Sequence, residues 1–293
     1  MQAKVLQWTR NMTHQEWLLW RKTGIGGSDV AAIFESDPWK SSYEVYLDKM
    51  GSLPKTFENE AMELGVKLKD FIAREFSIET NNKVRKKNAI LQHPKYPYMI
   101  GTIDGWIKDQ NAGLLCKNIH QYMANEWNDG KIPKKYLLQV MHYMAITGAA
   151  QWWIALLIGG KKLVFLKIDR DEALIKRIIE VEKNFWLYNV LSQQPPLYDG
   201  TKATREFLTN KYPTAKPKSV VTLPIEALDL VKQYKKAVEE EGKVQRKKLE
   251  AENRIKGLMG NNEIATVGDY KIEWKNVKKP SDQNSYYRRF QIK

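Results

Sequence analysis

One cysteine, Cys116, occurs in 293 residues, so no intrachain disulfide can form and no cysteine-rich zinc site can be built. Histidine is scarce too. His14, His93, His120 and His142 are scattered along the chain, which argues against a histidine-based metal centre. No apolar run approaches the ~20 residues needed to span a bilayer, the longest stretch being Trp152 to Ile158. Met1-Gln-Ala-Lys4 leads into a segment containing Trp8 and Arg10 where a signal peptide would have an apolar core. These absences predict an intracellular protein without a membrane partner. There is no internal repeat.

Positive charge is what the chain has in quantity. Lys and Arg number 48 against 34 Asp and Glu, a formal charge of +14 with an isoelectric point near 9.5. Each basic side chain that neutralises a phosphate releases counterions, so this balance favours an anionic partner, nucleic acid first. A hydrophobic fraction of 43% permits a substantial buried core and excludes a disordered or fibrous chain.

Thr13-His-Gln-Glu16 is a capping-box pattern ahead of Trp17, Leu18 and Trp20. It predicts a short helix, ending near Arg21, whose aromatic face needs a core. Gly24-Ile-Gly-Gly-Ser28-Asp29 then turns into Val30-Ala-Ala-Ile33, with Ser28 as the expected N-cap, and such a junction presents backbone N–H groups to an anion. Ser41 to Met50 reads as a helix closed by Gly51. Met62, Leu64, Leu68, Phe71, Ile72 and Phe76 form an apolar stripe at helical spacing. Strands are expected at Ala89 to Leu91, Tyr98 to Trp106 and Gly113 to Lys117. A helix from Pro133 through Tyr136, Gln139, Val140, Tyr143 and Met144 closes at Gly148. Gln151 to Ile158 and Leu163 to Ile168 flank Gly159-Gly160 as a hairpin, and Asp171 to Leu191 is expected to be one helix.

Composition shifts after Pro196. Pro213 to Pro217 reads as a linker, Ile225 to Met259 as a long helix dense in Lys and Glu, and Gly268 to Val277 as a hairpin or edge strand. Two parts follow: a core over residues 1–211, then residues 212–293 as linker, charged helical arm and a small β tail. Cations of the arm such as Lys235, Lys243 and Arg246 alternate with Glu239, Glu240 and Glu241, so a solvated face explains them as well as a DNA path does. Arg288 and Arg289, beside Tyr286, Tyr287 and Phe290, are better candidates for stacking combined with phosphate contact.

Metal-dependent phosphodiester cleavage needs carboxylates at adjacent strand ends to hold one or two Mg²⁺, and a lysine to orient water or stabilise developing charge. Asp104 in Met99-Ile-Gly-Thr-Ile-Asp104-Gly and Lys117 in Gly113-Leu-Leu-Cys-Lys117 fit those roles, with the backbone carbonyl of Cys116 as a further oxygen. Taken alone, a plain tight turn at Asp104-Gly105 is the simpler account of the first of these.

Taken in order, Gly24-Ile-Gly-Gly-Ser-Asp29, the Leu64-Gly65 helix, Thr102-Ile-Asp104-Gly, the Lys117 strand, Tyr136-Leu-Leu-Gln139 through Gly148 and the Gly159-Gly160 hairpin resemble the YqaJ-like viral recombinases. These belong with phage lambda exonuclease in the PD-(D/E)xK nuclease superfamily. The resemblance covers most of Trp17 to Asp199, and Arg288-Arg289-Phe290-Gln-Ile-Lys293 looks like the family's usual ending. It implies an α/β fold with a central mixed sheet flanked by helices. It also implies Mg²⁺- or Mn²⁺-dependent 5′-to-3′ digestion at double-stranded DNA ends, handover to a single-strand annealing protein, and a homo-oligomeric ring. The setting would be the cytoplasm of a bacterial host, with a phage or prophage origin. By position, Arg21 and Ser28 would bind the terminal 5′-phosphate, Asp104 and the Cys116 carbonyl would bind metal, Lys117 would act on the attacking water, and Gln139 would support the site. Arg21 is chemically apt because a guanidinium forks onto phosphate oxygens.

Two positions depart from the family pattern. The helix glutamate expected four residues after Gly65 is Lys69. The strand glutamate expected two before the lysine is Leu115, or has been deleted from a Leu-Leu-Glu-Cys-Lys type sequence. Asp70 is turned about 100° from Lys69 on a helix, and Glu63 lies more than a turn earlier, so neither is a natural replacement. The expectation is therefore a DNA-end-binding protein with impaired or lost cleavage. The alternatives are an active exonuclease with a rearranged site and a nuclease-dead scaffold serving as a protein-interaction or inhibitor module.

Overall fold

In the computed structural model, which describes residues 3–53, 60–279 and 282–293, the chain forms two units, Met1–Thr214 and Ala215–Lys293. In chain order the first carries β1 (Lys4–Trp8), α1 (His14–Lys22), α2 (Gly27–Ile33), α3 (Ser42–Lys49), α4 (Glu60–Thr80), β2 (Val84–Arg85), β3 (Ala89–Gln92), β4 (Ile100–Gly101), β5 (Gly105–Ile107), β6 (Ala112–Ile119), α5 (Lys134–Thr147), β7 (Gln151–Ile158), β8 (Lys162–Asp169), α6 (Glu172–Asn184) and α7 (Lys202–Lys211).

Its central sheet has the order β2-β5-β6-β7-β8. Only β6 and β7 are parallel, paired without interruption from Ala112 with Gln151 to Ile119 with Ile158, and the other neighbours are antiparallel. Parallel neighbours need a long crossover, which contains α5. Parallel strands are covered on both faces, which explains the continuous apolar run along β7. On one face Ile72 and Phe76 of α4 pack against Leu114, Cys116, Ala155 and Leu157. On the other, Leu115, Ile154 and Leu156 join residues of α2, α5 and α6 in the main core. Strand alternation does this sorting: Leu114 and Cys116 turn to α4, and Leu115 turns to the opposite face. The result is the central mixed sheet flanked by helices that the family resemblance implies. The side chain of Met62, part of the expected α4 stripe, lies outside the described residues.

A second, antiparallel sheet has the order β1-β3-β4. The single strand expected over Tyr98 to Trp106 is two: β4 pairs with β3 here, whereas β5 pairs with β2 and β6 in the central sheet. The break has a local cause. The Ile25 N–H donates to the Tyr98 carbonyl at 2.6 Å and the Ile25 carbonyl accepts from the Ile100 N–H at 3.0 Å, which commits this backbone before it reaches the central sheet. His142 of α5, fully buried, holds the same point: Nε2 lies 2.9 Å from the Ile100 carbonyl, and Nδ1 lies 2.7 Å from Glu182 Oε1 on α6.

Other expectations need correction. The capping box at Thr13 and Glu16 forms, but α1 buries no residue completely: Trp17 and Trp20 are half-buried, and Leu18 and Leu19 are exposed. The helix expected to reach Leu191 is α-helical only to Asn184, and continues as a π-helical segment over Phe185–Leu191. Phe185 and Val190, five residues apart, are the two buried there, and five is the π spacing.

The second unit comprises α8 (Ala227–Met259) and the antiparallel strands β9 (Ile264–Val267), β10 (Tyr270–Lys279) and β11 (Asp282–Ile292), ordered β11-β10-β9. Its β10 forms a hairpin with β9 across Gly268-Asp269, as one of the two expectations had it, and is a central strand, not an edge. Of the α8 side chains only Met259 is buried, and Lys236–Glu240, Glu250–Arg254 and Glu252–Lys256 pair at i,i+4 along it. Arg288, expected to contact nucleic acid, is spent on the fold. It donates to the carbonyls of Trp274, Gly260 and Asn262 and lies 3.5 Å above the Trp274 ring. Among the described residues no helix is long and apolar enough to cross a membrane.

Candidate functional site

The β5–β6 ladder reaches Gly105 opposite Leu114, and Asp104 is the residue just before it. Its Oδ2 accepts the Cys116 backbone N–H at 2.8 Å, so a side chain takes over where the strand ladder stops. A residue in a strand directs N–H and C=O toward the same neighbour, which puts the Cys116 carbonyl on this edge as well. The Cys116 side chain lies on the α4 face, where burial pushes its thiol pKa far up.

The second Asp104 oxygen, Oδ1, accepts from Lys69 Nζ at 2.8 Å. Lys69 comes from α4, and the next residue, Asp70, turns outward to pair with Lys86 at 2.6 Å. Glu63 is solvent-exposed beside Lys67. Leu115 precedes Lys117 by two on an unbroken strand, so both side chains lie on one face. Arg21, Ser28, Lys69, Asp104, Leu115, Lys117 and Gln139 all line a single cavity of about 180 Å³.

Tyr143, Trp17 and Thr102 also line it, although sequence reasoning gave them no functional role. Gln139 Nε2 donates to the buried Tyr143 Oη at 2.9 Å, one helical turn away on α5. The Tyr143 ring requires two glycines. A Cβ on Gly27 would stand 2.6 Å from Tyr143 Cε1, and one on Gly101 would stand 3.0 Å from it. The only sequence signal for this was the i,i+4 pairing of Gln139 with Tyr143.

Arg21 is held from behind. Its Nη2 lies 2.5 Å from Oδ1 of the fully buried Asp29, Nε lies 3.6 Å from Asp48, and the guanidinium sits 5.7 Å from the Trp17 ring centre. Asp29 also takes Lys40 Nζ at 3.1 Å, Lys49 Nζ at 2.7 Å and the Gly26 N–H at 3.1 Å. Gly26, not Ser28, is thus the N-cap of α2; Asp29 reaches back to the Gly26 amide, and Ser28 lies inside the helix. Burial raises the Asp29 pKa, but Arg21, Lys40 and Lys49 together hold it well below the usual carboxylate range.

The YqaJ-like viral recombinase domain model matches residues 16–150. The protein YqaJ of Bacillus subtilis (strain 168) is 36% identical over 311 residues, covering 99% of this chain and 98% of that one. This chain belongs to the YqaJ-like viral recombinase family. A shorter similarity links it to protein R354 of Acanthamoeba polyphaga mimivirus, 27% identical over 146 residues, 45% of this chain and 26% of that one. Among solved structures, the alkaline exonuclease LHK-Exo from Laribacter hongkongensis is similar, with a TM-score of 0.53 at 21% identity over 67% of this chain and 97% of that one. LHK-Exo is also known in complex with dAMP, with the same degree of similarity. The core of this YqaJ-family protein therefore has an exonuclease fold.

The electrostatics of its cavity favour an anion. Among the described residues, Arg21, Lys69 and Lys117 face one carboxylate, Asp104. Burial, reinforced by the charge on Lys69, lowers the Lys117 pKa to about 8. Burial pulls the Lys69 pKa down as well, but contact with Asp104 outweighs it and the net shift is upward, which keeps this ammonium charged. A divalent cation of the Mg²⁺ type takes several oxygen ligands. Here the Asp104 carboxylate already holds an ammonium, and Leu115 offers no donor. Among the described residues no three His, Cys, Asp or Glu side chains converge on a point. This donor set does not fit a divalent ion.

Proposed function

We propose that this YqaJ-family protein binds the ends of double-stranded DNA in the Arg21–Lys117 cavity without cutting them by metal-dependent hydrolysis. The observation carrying the reading is the Lys69–Asp104 ion pair: an ammonium sits on the one carboxylate that lines the cavity among the described residues. The positive lining suits a phosphate, and an exonuclease fold supplies the setting for a DNA end. Arg21 carries five donors in a rigid fork, and Asp29 fixes that fork from its buried side. Ser28 and Gln139 add neutral hydrogen-bonding groups to the lining. The same proposal keeps the family's other expected partners, a single-strand annealing protein and further copies of the chain in a ring, within a phage-infected bacterial cytoplasm.

Digestion and end binding test it together. A 5′-phosphorylated linear duplex should release no nucleotides in Mg²⁺ or Mn²⁺, yet should out-compete circular duplex at ~150 mM salt, where non-specific electrostatic binding is weakened. Nucleotide release that Asp104→Ala abolishes would instead establish an exonuclease with a rearranged site. Equal affinity for linear and circular DNA, without cleavage, would favour a protein-interaction module.

A further inference from the structure

Lys69 is more than a missing acid. Its ammonium lines the cavity beside Asp104, as Lys117 also does, with about two-fifths of the side chain solvent-accessible. We infer that Lys69 is a tethered cation that binds a phosphate group of the DNA directly, making recognition at this site independent of metal. The inference rests on the DNA-end reading above and specifies its ligand chemistry: a phosphate oxyanion, from either a terminal 5′-monophosphate or a backbone phosphodiester.

Three observations support it. An ammonium has three N–H donors, and Asp104 Oδ1 accepts one of them. Asp104 cannot move to a new partner freely, because its other oxygen is fastened to the Cys116 amide at 2.8 Å. This makes Asp104 an anchor that holds the ammonium at the cavity wall. The third is the second cation: Lys117 lines the same cavity of about 180 Å³. Two lysines facing one small cavity are stabilised by an anion between them and destabilised by a metal ion there. Leu115 beside them removes the strand position from which an acid would oppose the phosphate.

The test measures binding of the full chain to 5′-phosphorylated linear, 5′-hydroxyl linear and circular duplex, in EDTA and in Mg²⁺, as a function of salt. Wild type and Lys69→Arg should bind linear duplex equally with or without metal. Lys69→Gln should weaken end binding about tenfold and lower the salt slope by about 1, the loss of one phosphate contact. Loss confined to the 5′-phosphorylated end identifies the monophosphate as the ligand; equal loss on both linear duplexes identifies a backbone phosphate. Unchanged affinity and slope in a folded Lys69→Gln, with end binding still dependent on Arg21, would overturn the Lys69 inference alone. Strengthening of wild-type end binding by Mg²⁺ would overturn it as well. Absence of any preference for linear over circular DNA in wild type would overturn the end-binding reading itself.

Discussion

Asp104 is engaged at both oxygens by the protein's own donors: Lys69 Nζ at 2.8 Å from Oδ1 and the Cys116 amide at 2.8 Å from Oδ2. The side chain that a nuclease would offer to a metal is here a structural connector between α4 and β6. Asp104→Ala should therefore destabilise the fold by about 2 kcal/mol, because it strands the Cys116 N–H and leaves Lys69 without its counter-charge. Asp104→Asn keeps an acceptor for the amide and should cost about half as much. Urea unfolding of the two variants measures the difference, and equal losses would show that the Cys116 contact contributes nothing.

Asp29 carries a larger electrostatic load. Fully buried among Arg21, Lys40 and Lys49, it offsets three cations. Asp29→Asn should cost roughly 3 kcal/mol and weaken DNA-end binding by releasing Arg21 from its position. The pH dependence has a definite sign. Because the folded pKa lies below the unfolded one, the stabilisation is present above the unfolded value of ~4 and is lost as pH falls through the folded value. Acid unfolding of Asp29→Asn should accordingly be less steep than that of wild type.

Lys117 works in the opposite direction. With a folded pKa of about 8 against 10.5 for an ordinary lysine, it holds fewer protons when folded than when unfolded across that interval. Its contribution to stability therefore rises with pH from about 8 to about 10.5, and the penalty for charging it is full below 8. Lys117→Met should stabilise the protein at pH 7 by about 1–2 kcal/mol, discounted for partial exposure, and flatten the alkaline limb of the stability profile. End binding by wild type should fall above pH 8 as this charge is lost. A Lys117→Met variant with unchanged stability at pH 7 would contradict this.

The Tyr143 ring fills the space that a side chain at Gly27 would need. Gly27→Ala should cost about 1–3 kcal/mol through overpacking and should displace the cavity wall. The companion change Tyr143→Leu should relieve much of that cost. A thermal unfolding comparison of the single and double variants settles it: additive losses would mean that the ring is not the obstruction.

In the second unit, Arg288→Ala removes three hydrogen bonds to carbonyls and the stack on Trp274. It should destabilise that unit by roughly 2 kcal/mol while leaving the salt slope of DNA binding unchanged. A shallower slope with unaltered stability would return Arg288 to the role of phosphate contact.

How much of this was legible in the sequence depended on whether its cause was local. The capping box at Thr13, the α5 helix between Pro133 and Gly148, and the β7–β8 hairpin at Gly159-Gly160 follow from short-range chemistry and were readable. The break between β4 and β5 was not, because it is imposed by Ile25, which lies far away in sequence. Short strands such as β1 and β2 draw their stability from partners and carry little pattern of their own. Asp29 reads as an ordinary first-turn acid, since Lys40 and Lys49 reach it from outside α2. Arg288 shares its residue type with phosphate-binding arginines, and only the folded β10–β11 pair reveals that carbonyls take up its donors.

Under the proposed function, Lys69 and Leu115 give this cavity the chemistry of an anion site rather than of a metal site. Calorimetric titration of Mn²⁺ into wild type and into the Lys69→Glu, Leu115→Glu double variant tests this most directly. Wild type should show no saturable binding below millimolar metal, and the double variant, with three carboxylates about the cavity, should bind Mn²⁺ stoichiometrically. Saturable Mn²⁺ binding by wild type that Asp104→Ala abolishes would contradict the account.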